Sequence, residues 1–149
     1  MLKEKLFDDL KQAMKRADQE TVGVLRILLT AIKNKEIEKK TKSGGEGQLS
    51  DEEVIQVLMS DAKKHKESME IFTKGGRKDL ADKEEKELAI IQTYLPKQLS
   101  ETEIEQIIDK VLQKISVKDF GSVMKEVMKE LKGKADGKVV SAIIQKKLK

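Results

Sequence analysis

The chain has 149 residues, 31 basic and 27 acidic side chains, one His, one Pro, and neither Cys nor Trp. That length suits one domain or two small ones, and the lack of cysteine excludes disulfides, thiolate metal sites, iron–sulfur clusters and cysteine nucleophiles. Hydrophobic residues make up 38% and aromatics 3%, with a mean hydropathy of -0.54, so the expected core is modest and aliphatic. No apolar run approaches the ~20 residues of a membrane helix, and no charged n-region followed by an apolar h-region opens the chain. A soluble, cytoplasmic protein with no membrane partner is the expectation.

In chain order, Leu2, Leu6, Leu10, Met14 and Ala17 recur at i+3 or i+4 and predict a helix with one apolar stripe. Thr21 to Lys40 is apolar almost all round through Val22, Val24, Leu25, Ile27, Leu28, Leu29, Ala31 and Ile32, which predicts a central, largely buried helix. The polar stretch Lys42-Ser43-Gly44-Gly45-Glu46-Gly47-Gln48 reads as a flexible connection. Ser50 and Glu53 form a capping-box pattern ahead of a helix carrying Val54, Leu58, Ala62, Met69 and Phe72, and Gly75-Gly76 ends it. Asp79 is the expected cap of the next helix, with Leu80, Leu88, Ile91 and Leu95; Pro96 closes that segment. Ser100 and Glu103 repeat the capping pattern before Ile104, Ile107, Ile108, Val111, Leu112 and Ile115. Two short helices follow, one with Phe120, Val123, Met124, Val127, Met128 and Leu131, the other with Val139, Val140, Ile143, Ile144 and Leu148. No period-2 pattern competes, so the expected fold is all-α with about seven helices.

The break at Tyr94–Ser100 divides the chain into an expected N-terminal helical bundle, 1–95, and a small three-helix part, 96–149. Charge divides there too. Residues 1–95 hold 19 basic and 19 acidic side chains, whereas 96–149 hold 12 lysines and 8 acids, so the whole excess of +4 lies in the C-terminal part.

His65 is the only imidazole, and Asp61 stands one turn before it. An Asp–His pair suits acid–base chemistry or half a metal site. With no third ligand or nucleophile at useful spacing, the plainer expectation is a core histidine bonded to a nearby carboxylate or backbone carbonyl. No serine sits in a Gly-x-Ser-x-Gly turn, Ser43-Gly44-Gly45 lacks the context of a phosphate-binding loop, and Glu84-Glu85 reads as helix-surface acid. No catalytic residue, metal or cofactor is assigned.

Arg26 stands on the most apolar helix, Lys33 lies seven residues on along the same side, and Arg77 follows Gly75-Gly76. A half-buried guanidinium requires a carboxylate or a phosphate. These three residues are secondary anion-binding candidates, with an internal Arg–acid pair as the plainer reading. The main constellation is Lys125, Lys129 and Lys132 at i, i+4 and i+7, with Glu126 and Glu130 placed on the opposite flank, continued by Lys134 and Lys138. Five lysines around one helix end and the next helix start can attract phosphates, and the last helix, capped by Asp136, adds N–H donors. Phe120 reads as core and Tyr94 stands alone, so aromatic stacking of single strands is not expected; an RNA bound here would be folded and read through its backbone.

Several stretches together resemble the GatB/YqeY family: Val24-Leu25-Arg26 with Ala31-Ile32-Lys33; Lys66-Glu67-Ser68 with Gly75-Gly76-Arg77-Lys78-Asp79-Leu80-Ala81; Tyr94-Leu95-Pro96-Lys97-Gln98-Leu99; Phe120-Gly121-Ser122-Val123-Met124-Lys125; and Leu131 to Val140. The resemblance covers nearly the whole chain and is nearer to the free-standing members than to the tail of the B subunit of tRNA-dependent amidotransferase. In place of the Asn-Pro common in that tail, this chain has Asp136-Gly137. It implies a helical bundle joined to a smaller three-helix part, contact with tRNA, and a family label of glutamine-dependent carbon–nitrogen ligase. Phosphoryl activation requires an ATP–Mg²⁺ site and glutamine hydrolysis an activated nucleophile; neither is readable in these residues. The expected function is therefore a non-catalytic module binding tRNA or another folded RNA. Two alternatives stand beside it: a protein-interaction adaptor of a tRNA aminoacylation or amidation complex, with Met69, Met124 and Met128 as core or contact residues, and the ligase activity itself.

Overall fold

The computed structural model describes residues 1–149 and contains seven α-helices and no strand. The chain divides into two compact units, Met1–Leu95 and Pro96–Lys149.

The first unit holds α1 (Leu2–Lys15), α2 (Gln19–Ser43), α3 (Asp51–Lys74) and α4 (Lys78–Gln92). Leu6 and Ala13 are the buried residues of α1, while Met14, expected on the apolar stripe, is 52% exposed. Past the C-cap Arg16, Ala17 adopts a left-handed φ of 55°, and the Asp18 N–H donates to the Ala13 carbonyl at 3.0 Å. Asp18 then caps α2, accepting from the Thr21 N–H at 3.2 Å and its hydroxyl at 2.7 Å. Those bonds hold the Asp18 carboxyl below its ordinary pKa.

Val24, Leu25, Leu28, Leu29 and Ile32 bury one side of α2 against α1, α3 and α4. The expectation of a largely buried helix is met on one side only: Arg26, Ile27 (58% exposed), Thr30 and Lys33 face solvent. Three neighbours on one side do not enclose a helix. The segment after α2 is more tightly built than its composition suggests. Gly47 lies against the Glu36 carbonyl, Lys39 Nζ donates to the Gln48 carbonyl at 3.0 Å, and Leu49 is buried in the core. Lys3 adds an ion pair from α1 to Glu36, at 2.7 Å.

At the start of α3 both halves of the capping box form: the Glu53 N–H donates to Ser50 Oγ at 3.2 Å, and the Ser50 N–H to Glu53 Oε2 at 2.8 Å. Gly76, with φ 73°, makes the turn into α4. Asp79, expected to cap α4, sits inside its first turn; Arg77 is the N-cap and makes no side-chain cap bond. Tyr94 is not isolated. Its hydroxyl donates to Asp9 Oδ2 at 2.6 Å, and Lys5 Nζ stands 5.5 Å from the ring centroid. Burial and the neighbouring Asp9 carboxylate raise the phenol pKa far above its ordinary value.

The second unit holds α5 (Glu101–Lys114), α6 (Phe120–Leu131) and α7 (Gly137–Lys147). All three pairs of helices pack, around Ile104, Ile108, Val123, Val127, Leu131 and Ile144. Ser100 caps α5 by accepting from the Glu103 N–H at 3.2 Å, without the reciprocal bond formed at Ser50. Asp119 caps α6, accepting from the Ser122 N–H at 2.8 Å. Phe120, expected in the core, precedes the first buried position, Val123, and is 38% exposed.

Candidate nucleic-acid interface

The lysine-bearing turn of the second unit is anchored by backbone groups. After α6, Gly133 takes a left-handed φ of 79°, and Ala135 is buried beside the core. The Lys134 N–H donates to the Leu131 carbonyl at 2.9 Å, and the Leu99 N–H to the Lys134 carbonyl at 2.9 Å. Gln98 Nε2 donates to the carbonyls of Gly133 at 2.9 Å and Pro96 at 2.8 Å. Residues 96–99 therefore strap residues 133–134, and two stretches that carried the family resemblance meet here.

Lys125, Lys129, Lys132, Lys134 and Lys138 are all exposed. Lys129 pairs with Glu126 at 2.8 Å, which corrects the expectation that Glu126 lies across the helix from the stripe. Lysine at i+3 lowers the Glu126 carboxyl pKa by hydrogen bond and charge. Lys125, Lys134 and Lys138 make no ion pair with a carboxylate. The N-terminus of α7 is less open to an anion than expected, because Asp136 Oδ1 already accepts from the Lys138 N–H at 3.0 Å.

The secondary candidates lie in the first unit. Arg26 and Lys33 share the exposed face of α2 without ion pairs, so the expected internal Arg–acid pair is not formed; an exposed guanidinium is solvated and needs none. Arg77 at the α3–α4 turn is paired with Asp79 at 3.1 Å, both well exposed. A groove of about 650 Å³ between α2 and α3 also carries lysines, but there Lys35 and Lys42 pair with Glu38, and Lys39 with Glu53. Met69, Met124 and Met128 pack against the two cores.

His65 is largely buried and is met by carboxylates on both ring nitrogens. Nε2 stands 3.2 Å from Asp61 Oδ2, one turn back on α3. Nδ1 contacts Glu84 and lies 3.6 Å from Glu87 Oε2, both on α4. The expected bond from the ring to a nearby carboxylate is present. Glu84 is corrected from surface acid to a residue facing α3, and Glu87 was not singled out at all. The only signal for them was their i, i+3 spacing on a helix whose pairing with α3 the sequence does not give.

The family model described as Yqey-like protein matches residues 3–148. The chain belongs to that family. Among curated proteins it is similar to Altered inheritance of mitochondria protein 41, mitochondrial, of several yeasts. The Vanderwaltozyma polyspora protein is 36% identical over 122 residues, covering 80% of this chain and 63% of the relative. The Saccharomyces cerevisiae (strain YJM789) protein is 39% identical over 116 residues, 76% of this chain and 60% of the relative. The Lachancea thermotolerans protein is 37% identical over 112 residues, 74% and 57%. The chain thus spans about three fifths of the length of these relatives. Their designation as mitochondrial overturns the cytoplasmic expectation. No helix is long and apolar enough to cross a membrane.

Proposed function

We propose that this Yqey-like protein is a non-catalytic RNA-binding module whose C-terminal unit contacts the phosphate backbone of tRNA or another folded RNA. One observation carries the reading: Lys125, Lys134 and Lys138 are exposed and free of ion pairs in the unit that holds the chain's whole charge excess. Lys129 and Lys132 flank them, and the Leu99 N–H holds the Lys134 backbone in place. The family's resemblance to the amidotransferase tail supports tRNA as the RNA to try first, and the names of the fungal relatives support including mitochondrial tRNA.

The test is filter binding of total tRNA to the full chain across a salt series. Three neutralised phosphates give a slope of roughly 2–2.7 log units of affinity per log unit of salt, or about 20–40-fold between 50 and 200 mM. Lys125→Glu, Lys134→Glu and Lys138→Glu together should abolish binding and leave the helical circular-dichroism spectrum unchanged. Salt-insensitive binding, or binding untouched by the triple change, would refute the interface. A partner recovered equally after nuclease digestion would favour the adaptor reading, and amide formation on mischarged tRNA by the purified chain would refute the non-catalytic one.

A further inference from the structure

The carboxylates around His65 do not balance as hydrogen bonding alone. A neutral imidazole has one N–H and one lone pair. If Nε2–H is donated to Asp61, Nδ1 turns its lone pair toward Glu84 and Glu87. Three acceptors then converge with no donor between them, at side chains only 14% (His65), 21% (Glu84) and 19% (Glu87) exposed. In the other tautomer the same shortfall passes to Nε2 and Asp61, so the cluster as a whole needs one further hydrogen or a metal ion.

The geometry suits the ion. His65 Nδ1 and one oxygen each of Glu84 and Glu87 lie within 4.8 Å of one another. Tetrahedral zinc at ~2.0–2.2 Å from N and O ligands spaces them by roughly 3.4 Å, within the reach of small rotations about the Glu side chains. Asp61, on the far nitrogen at 3.2 Å, stands where metal-bound histidines carry the carboxylate that fixes their tautomer. Both glutamates come from one face of α4, the histidine from α3, so an ion here would join the two helices. The donor set also selects. Imidazole nitrogen with carboxylates suits zinc and its first-row neighbours, whereas magnesium favours an all-oxygen octahedron.

We propose that His65, Glu84 and Glu87 bind a divalent transition-metal ion of the zinc type, with Asp61 as the residue positioning the imidazole. Three protein ligands leave a fourth position for water or an added ligand. This site is independent of the RNA-binding reading.

The test uses chelator-treated full-length protein and titration calorimetry with zinc chloride. One ion should bind per chain, magnesium chloride should give no binding isotherm, and zinc should raise the melting temperature. Glu84→Gln with Glu87→Gln keeps the side-chain shapes and should weaken zinc at least 100-fold. Asp61→Asn should weaken it by about 10–100-fold. Glu87→Gln alone covers the case in which the double variant fails to fold. Wild-type protein that binds no zinc overturns the proposal and leaves the cluster a hydrogen-bonded strut between the helices. Zinc binding undisturbed by the glutamine variants overturns it too, by placing the ion elsewhere.

Discussion

Gly47→Ala tests whether the segment between α2 and α3 is a packed element. A Cβ added at Gly47 would stand 2.4 Å from the Glu36 carbonyl oxygen and 2.9 Å from the Lys40 Cβ. A comfortable C···O approach is about 3.3–3.6 Å, so the segment must retreat by about 1 Å. The obstacle cannot yield, because the Glu36 carbonyl belongs to the backbone of a helix that continues to Ser43. Retreat would draw Leu49 out of the core and lengthen the bond from Lys39 to the Gln48 carbonyl. Overpacking of this kind costs about 1–3 kcal/mol, and in a protein of this size each kcal/mol lowers Tm by about 2–4 °C. The control is Gly45→Ala, two residues away, where an added Cβ meets nothing within 4 Å; it should stay within about 0.5 kcal/mol of wild type. Urea unfolding of both variants decides the matter. Equal midpoints for Gly47→Ala and Gly45→Ala would show that the segment is the flexible connection its composition suggests.

Two further outcomes follow from local geometry. Tyr94→Phe removes the hydroxyl bonded to Asp9 and should cost about 1–2 kcal/mol at neutral pH. Since the folded protein raises the Tyr94 pKa above the ordinary 10.0, the wild-type advantage is fully present below that pH and is lost as pH rises beyond it. Chemical unfolding at pH 7 and 10.5 should show the gap between the two proteins narrowing; a constant gap would contradict the assignment. Ala17→Gly relieves the left-handed φ of 55°, a conformation costing roughly 1–2 kcal/mol for a residue with a Cβ. Part of that gain is offset by the extra freedom of glycine in the unfolded chain. The expected result is a rise in Tm of a few degrees by calorimetry, and a fall would contradict it.

The sequence by itself determined that the chain is all helical, and it showed where helices begin when the signal was local. Ser50 with Glu53, and Asp136 before α7, act within one turn of backbone and need no distant partner. Hydrophobic period also identified most core positions, because burial of one face is written along each helix. What only the tertiary structure decided depended on which faces meet. Met14, Ile27 and Phe120 are apolar and were expected inside, but the packing ran out of neighbours on their sides. Gly47 and Leu49 sit in a polar, glycine-rich stretch, yet the return path of the chain presses them onto α2. Glu84 and Glu87 are spaced like any surface acids, and the α3–α4 pairing turns them toward His65. The lysine turn was visible as charge, while the strap from Gln98 and Leu99 that holds it, 35 residues away in the case of Gln98 and Gly133, was not. Local capping and periodicity are short-range physics that one segment can encode; a shared site is formed by side chains from separate segments, and its existence rests on the angle and register at which those segments pack.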